Sequence, residues 1–242
     1  MKSIAQTLFS AVLGFATFGT FVTFAQAQLD VPTLLVSPLR MPADSKADVT
    51  RKPTEFLTFT QAQAGMKVLD IAAGGGYTSQ LLTLAAGSSG QVWAQNEKPS
   101  ANLKARLDAH PQTNLTELVR PFEDPYAANL PPLDLITIVL SYHDIAFTST
   151  NRFNLTAHLL QALKPGGHLV IIDHSAKHGS GLDDIKTMHR IDEAVVIQEV
   201  SAAGFKLEAE SGDWRNASDT LQEHSGKMAS PSDRFALRFV KP

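Results

Sequence analysis

The chain of 242 residues contains no cysteine. Disulfides, thiolate metal sites and a cysteine nucleophile are therefore excluded. Aromatic residues are scarce, at 7%, and 21 basic side chains nearly balance 24 acidic ones. The sequence has no long basic run interleaved with aromatic residues, so it predicts no nucleic-acid partner. A chain of this length can form one domain with a sizeable core.

A long apolar run occurs at the N-terminus. Lys2 precedes a mostly apolar segment from Ile4 to Phe24, and Ala25-Gln26-Ala27 fits a small-x-small cleavage site. This pattern is typical of a bacterial secretory signal, so residues 1–27 are predicted to be a signal peptide and the protein to be exported, periplasmic or secreted. An uncleaved membrane anchor is the alternative, because the run is nearly long enough to span a bilayer.

Residues 28–53 carry Pro, Asp, Arg and Ser with little periodicity. They are predicted to form an extended arm across the surface of a domain over residues 54–242. Arg51 and Lys52 are predicted either to be solvated or to fold over the carboxylate of a bound cofactor.

The segment Lys67–Tyr77 is the most informative part of the sequence. Apolar residues surround Asp70, three consecutive glycines follow, and a helix-like segment begins at Thr78. This order predicts a buried strand, a tight turn and a helix start. Glycines allow a ligand to lie against the backbone, because no Cβ blocks its approach. A glycine turn without a ligand is the alternative.

Strands and helices are predicted to alternate through residues 54–205, which indicates an α/β doubly wound domain. The apolar run from Pro131 to Leu140 predicts a strand covered on both faces. Polar residues follow several predicted strands, and the carboxyl ends of parallel strands meet at one edge. Polar side chains from distant parts of the sequence are therefore predicted to meet in one crevice, namely Asp70, Asn96, Phe122, His143 and Asp173.

Two segments resemble class I S-adenosylmethionine-dependent methyltransferases. In the first motif of that family, Asp70, Gly74 and Gly76 match the pattern and Ala72 stands where the first glycine is expected. The block Leu163–Asp173, which contains Lys-Pro-Gly-Gly, resembles the region that leads through the fifth strand. The resemblance implies a doubly wound, mostly parallel seven-stranded sheet with an antiparallel last strand.

The same resemblance implies S-adenosylmethionine as cofactor. In the family, an acid after the second strand bonds the ribose; here Asn96 takes that position, followed by Glu97. Phe122 is predicted to stack on the adenine, or to belong to an ordinary loop. The full set of implied cofactor contacts is Asp70, Ala72, Gly74, Gly76, Tyr77, Asn96, Glu97, Phe122, Glu123 and Ser141.

The pair His143-Asp144 follows the fourth predicted strand and resembles that of small-molecule O-methyltransferases in which the histidine is the general base. The resemblance implies that His143 is the base and that Asp144 orients it. The alternative is a histidine that caps the loop. A metal held by Asp144, Asp173 and His174 is a further arrangement, but no contiguous ligand motif supports it and no metal is assigned.

The chain also resembles a group of exported bacterial methyltransferase-like proteins. The shared segments are Tyr142-His143-Asp144, Asp173-His174-Ser175, His189-Arg190-Ile191-Asp192, and Asp233-Arg234-Phe235 with Lys241-Pro242. This likeness indicates no acceptor. Arg190 is predicted either to bind a carboxylate or phosphate of an acceptor or to belong to a surface pair with His189 at the start of a helix.

The leading functional hypothesis is a methyltransferase that acts on a small-molecule acceptor. A binding or sensing module without turnover is the alternative, because export separates the protein from a cofactor made in the cytosol. A nicotinamide oxidoreductase is disfavoured. Ser79 stands where its third glycine belongs, and Asn96 replaces the acid that binds the ribose.

Overall fold

The structure, a computed structural model, describes residues 29–242, and the predicted signal peptide over residues 1–27 lies outside the described residues. One sheet contains seven strands in the order β3-β2-β1-β4-β5-β7-β6. Its strands are β1 Lys67–Ile71, β2 Gln91–Asn96, β3 Leu115–Val119, β4 Leu133–Val139, β5 Leu163–His174, β6 Lys206–Glu210 and β7 Arg234–Val240. The helices are α1 Val31–Leu35, α2 Asp44–Arg51, α3 Pro53–Thr60, α4 Tyr77–Ala86, α5 Ala101–Ala109, α6 Tyr142–Phe147, α7 Arg152–Ala162, α8 Ile185–Met188 and α9 Glu193–Ala202.

Strand pairing confirms the predicted fold class. β1 pairs in parallel with β2 and β4, and the pairs β2–β3 and β4–β5 are also parallel. β7 runs antiparallel to both β5 and β6. The molecule is therefore a doubly wound α/β domain with one reversed strand.

The core covers both faces of the sheet, as the continuous apolar strands predict. In β4, Leu135 packs in the cluster that contains Leu81, while its neighbour Ile136 packs in the cluster that contains Val196. Successive side chains of a strand point to opposite faces, so both faces need helices to exclude water. Each such fully buried aliphatic side chain contributes about 1.5–3 kcal/mol through the hydrophobic effect.

The prediction of an extended arm over residues 28–53 is wrong in its local structure, since α1 and α2 occupy about half of it. The start of α1 carries recognisable signals: the Asp30 side chain accepts a hydrogen bond from Thr33 N at 3.3 Å, and Pro32 lies in the first turn. The first helix of the domain, α3, begins at Pro53, the last residue assigned to the arm.

The order of the strands defines where a ligand is expected. From β1 the chain moves outward to β2 and β3, then returns to place β4 on the other side of β1. This reversal opens a crevice at the carboxyl ends of β1 and β4. Within residues 29–242, no helix has both the length and the hydropathy required to cross a bilayer.

Candidate functional site

A cavity of about 460 Å³ lies at the carboxyl ends of β1 and β4. Its volume is within the range of small-molecule sites. The cavity is lined by Met41, Ala43, Asp44, Arg51, Asp70, Ala72, Ala73, Gly74, Gly75, Tyr77, Thr78, Asn102, Ala105, Arg106, Val139, Leu140 and Ser141. Five of the predicted cofactor contacts are among them: Asp70, Ala72, Gly74, Tyr77 and Ser141.

Asp70 connects β1 to its neighbours at the base of this cavity. Its carboxylate accepts hydrogen bonds from Ser79 Oγ at 2.6 Å and from Thr137 Oγ1 at 2.7 Å. Burial raises the pKa of Asp70 to about 6, although both hydroxyl hydrogen bonds act to lower it. The carboxylate therefore supplies negative charge to the cavity at neutral pH and loses that charge in mild acid.

The glycine loop provides an open backbone surface. Gly74 has φ +57°, and a Cβ placed on it would meet no atom within 4 Å, because the loop faces the cavity there. Gly76 has φ +79°, and a Cβ on it would lie 2.6 Å from Leu103 Cδ1 of α5. Gly76 is thus required for conformation and packing, whereas Gly74 leaves space against which a ligand can lie.

Ala72 adopts the conformation that a glycine would hold in this motif, with φ +54°. The left-handed region costs a residue with a Cβ about 1–2 kcal/mol. Because glycine also loses more entropy on folding, Ala72→Gly is expected to raise the free energy of unfolding by only about 0.5–1 kcal/mol. Chemical denaturation measures this change.

The matched control is Ala73→Gly, since Ala73 is not among the residues with positive φ. At this position glycine relieves no strain and increases the entropy of the unfolded chain. The substitution is therefore expected to destabilise the protein by about 0.5–1 kcal/mol. Equal losses of stability in both variants would show that Ala72 is not strained.

The N-terminal arm is fixed over the loop by a buried ion pair. Arg106 of α5 donates two hydrogen bonds to Asp44 of α2, at 2.7 and 2.8 Å, and a third through Nε to Gly75 O at 3.0 Å. Arg40 Nε lies 3.9 Å from the same Asp44 carboxylate. One guanidinium thus joins the arm, the glycine loop and α5, and forms part of the cavity wall.

Arg51 faces the cavity from the end of α2. Its guanidinium lies 5.7 Å from the centre of the Tyr77 ring, and within residues 29–242 it has no hydrogen-bonded carboxylate partner. Burial lowers the pKa of Arg51, and the nearby Tyr77 and Asp70 partly offset this effect. Lys52, the other residue predicted to reach a cofactor carboxylate, donates its side-chain hydrogen bond to Asp213 O.

Tyr77 contributes its ring to the cavity and its hydroxyl to the arm. The hydroxyl donates to Asp48 Oδ1 at 2.6 Å, and Asp48 also accepts two hydrogen bonds from Arg40. Burial and the adjacent carboxylate raise the pKa of the Tyr77 hydroxyl, so it stays protonated. Its hydroxyl is therefore engaged in holding the arm.

The predicted contacts for ribose and adenine lie outside the cavity lining. Asn96 accepts from Gly74 N at 2.9 Å and donates to Gly74 O at 3.3 Å, so it fixes the glycine loop. Glu97 accepts from Phe122 N at 3.3 Å, and Phe122 packs against the core. Glu123 accepts from Asn154 Nδ2 at 2.6 Å, at the start of α7.

His143 is buried at the start of α6, two residues after Ser141. Its Nδ1 lies 2.7 Å from Asp173 Oδ1, and its Nε2 lies 3.2 Å from Asp144 Oδ1. Burial acts to lower the pKa of His143, but the two carboxylates outweigh it and raise the pKa to about 10. An imidazolium cannot accept a proton, so this arrangement does not favour the predicted general-base role.

Arg190, for which the sequence suggested an acceptor contact, is fully buried. It donates to Ser175 O at 2.9 Å and Glu223 O at 2.8 Å, and pairs with Asp219 at 2.8 Å. These contacts hold the loop that precedes β7 against the end of β5. Arg190 therefore stabilises the loop and is not free to bind an acceptor.

No protein-family model matches the chain, and the comparison with curated proteins found no match. Among solved structures, an S-adenosylmethionine-dependent methyltransferase from Aquifex aeolicus is 17% identical, with a TM-score of 0.61 over 89% of this chain and 100% of that chain. One from Mesorhizobium loti is 15% identical, with a TM-score of 0.56 over 77% of this chain and 96% of that chain.

The glycopeptide N-methyltransferase MtfA, solved in complex with sinefungin, is 18% identical, with a TM-score of 0.57 over 80% of this chain and 86% of that chain. Identities of 15% to 18% establish similarity of fold and leave activity to the site itself. The chain therefore has the fold that these S-adenosylmethionine-dependent methyltransferases share.

Proposed function

We propose that the protein binds S-adenosylmethionine in the cavity at the ends of β1 and β4 and transfers its methyl group to a small-molecule acceptor. The observation that carries the proposal is that Arg51 and Asp70 both line this cavity. A guanidinium and a carboxylate in one cavity complement the carboxylate and ammonium of an amino acid. The methionine part of the donor carries both groups.

The rest of the cavity also fits this donor. The open backbone at Gly74 allows close approach of a ligand, and the Tyr77 ring supplies an apolar face. When bound, S-adenosylmethionine supplies an electrophilic sulfonium methyl. The protein's contribution is to hold donor and acceptor collinear, which is an orientation effect.

The acceptor is proposed to lie beyond Ser141, where β4 leads into α6 and the side chains of His143 and Asp144. Asp144 is 55% exposed and can meet a bound molecule, whereas His143 is covered. A protein that binds the donor but transfers methyl to no acceptor would instead support the binding-module alternative.

Calorimetric titration with S-adenosylmethionine tests the proposal, and pH gives it a specific signature. The pKa of Asp70 is about 6, so its carboxylate is charged above that pH and neutral below it. The positively charged donor is expected to bind about tenfold more weakly near pH 5 than near pH 7. S-adenosylhomocysteine keeps the ammonium group, so it is also expected to bind more weakly near pH 5 than near pH 7.

Asp70→Asn is the matched control, because the Ser79 and Thr137 hydroxyls can reorient towards an amide. This variant is expected to bind weakly at both pH values. Absence of binding by the unmodified protein at neutral pH would contradict the proposed function. Equal affinity near pH 5 and pH 7 would show that the charge of Asp70 does not contribute to donor binding.

A further inference from the structure

A second group of polar side chains lies at the ends of β4 and β5, outside the lining of the cavity. His143, Asp144 and His189 each offer one atom that can bind a metal, and these three atoms lie within 4.8 Å of one another. Asp144 Oδ1 lies 3.2 Å from His143 Nε2 and 3.4 Å from His189 Nδ1. We call these three residues the histidine–aspartate cluster.

The spacing matches that of metal ligands. Zinc binds imidazole nitrogen and carboxylate oxygen at about 2.0–2.2 Å in a tetrahedral arrangement, so two such ligands stand roughly 3.3–3.5 Å apart. The two distances that involve Asp144 lie at or next to this separation. Two imidazoles with one carboxylate suit a transition metal, whereas Mg²⁺ prefers oxygen ligands alone.

His143 is oriented as a metal ligand usually is. Its Nδ1 lies 2.7 Å from Asp173 Oδ1, and the other Asp173 oxygen accepts from His143 N at 2.8 Å. Asp173 is fully buried, so it fixes the ring and leaves Nε2 directed towards Asp144. A metal at Nε2 takes the place of the proton that this nitrogen carries in the imidazolium, so metal binding releases a proton. A carboxylate that holds the second ring nitrogen of a ligating histidine is the common support of such sites.

His189 is also held in place. It has φ +48°, a left-handed conformation uncommon for residues other than glycine. The next residue, Arg190, is fully buried and bonded to Ser175 and Glu223. His224 follows Glu223, and its ring lies 4.5 Å from that of His189. The His189 ring is therefore positioned by the buried contacts of Arg190.

We propose that the histidine–aspartate cluster binds a divalent transition metal of the zinc type. The side chains of Asp144 and His189 are 55% and 43% exposed, so the metal reaches the cluster from solvent. Three protein ligands leave a coordination position for water or for an oxygen of a small molecule. The site is independent of donor binding in the cavity.

This cluster differs from the metal site considered in the sequence analysis, which combined Asp144, Asp173 and His174. His174 Nδ1 lies 2.6 Å from Ser232 Oγ, and Asp173 holds the Nδ1 side of the His143 ring, so neither is proposed as a metal ligand.

The test is titration of the untagged, EDTA-treated protein with zinc chloride, followed by anomalous diffraction from zinc-soaked crystals. One zinc per chain is expected, with anomalous density between His143, Asp144 and His189. Magnesium is expected to bind at least tenfold more weakly than zinc because imidazole is a poor ligand for it.

His189→Asn and Asp144→Asn are the informative variants, because both side chains are partly exposed and asparagine tolerates the left-handed conformation at position 189. Each is expected to weaken zinc binding at least tenfold. His178→Asn, at a histidine that is 93% exposed and outside the cluster, is the control and is expected to leave it unchanged. Absence of zinc binding, or binding that both cluster variants retain in full, would overturn the proposal. Neither result would bear on binding of the methyl donor.

Discussion

Arg106→Met is expected to lower the free energy of unfolding by about 3 kcal/mol. The substitution removes a buried bidentate partner and leaves the Asp44 carboxylate without it. The loss stays near the low end of such effects, because Arg40 Nε remains 3.9 Å from Asp44. For a domain of this size the midpoint of thermal unfolding should fall by roughly 6–12 °C.

Lys104→Met provides the control on the same helix. Lys104 pairs with Asp108 on the surface, where the two side chains are 70% and 63% exposed. An exposed ion pair of this kind contributes little, so the expected change is within about 0.5 kcal/mol. Similar unfolding midpoints for the Arg106 and Lys104 variants would mean that the arm is not anchored as described.

Arg51→Met is expected to weaken binding of S-adenosylmethionine about 10- to 100-fold, because a charge-assisted hydrogen bond is worth about 1.5–3 kcal/mol. The folded protein should not lose stability, since the Arg51 guanidinium is largely buried without a carboxylate partner among residues 29–242. Calorimetric titration measures the affinity, and thermal unfolding without ligand measures the stability.

Lys52→Met tests whether the effect belongs to position 51. Lys52 carries the same charge, but its Nζ donates to Asp213 O and it does not line the cavity. The Lys52 variant should bind the donor with unchanged affinity. Equal losses of affinity in the two variants would indicate a general effect of charge. Unchanged affinity in the Arg51 variant would show that Arg51 does not contact the donor.

The order of the elements was predictable because its signals are local. The apolar run through β4 indicates a strand covered on both faces, and the glycines after β1 indicate the turn that opens the cavity. Parallel strands bring their carboxyl ends to one edge, so Asp70 at the end of β1 was predicted to line the crevice, and it does. Asn96, Phe122, His143 and Asp173 were predicted to converge there as well, but they are not in the cavity lining.

The remainder of the site depends on contacts that sequence spacing does not encode. Asp44 and Arg106 are 62 positions apart, and their pairing is decided by how the arm folds over α5. The side-chain oxygen of Asn96 accepts a hydrogen bond from Gly74 N, and this contact depends on the shape that the loop adopts. A local signal was present for α1, where Asp30 caps the helix and Pro32 lies in its first turn.

The spacing of residues in the sequence did not predict the histidine–aspartate cluster either. His143 and His189 lie on separate elements, α6 and the end of α8. The buried Arg190 ties the loop before β7 to the end of β5 and so helps to place the His189 ring next to Asp144. Arg190 was predicted to contact a ligand because the sequence shows that the residue is charged but does not show that it is buried.

The most direct measurement is a crystal structure of the protein grown with S-adenosylhomocysteine. Ligand density is expected in the cavity of about 460 Å³, with the amino-acid carboxylate at Arg51 and the ligand lying against Gly74. Density for the ligand elsewhere, or an empty cavity at saturating ligand, would contradict the proposed binding site.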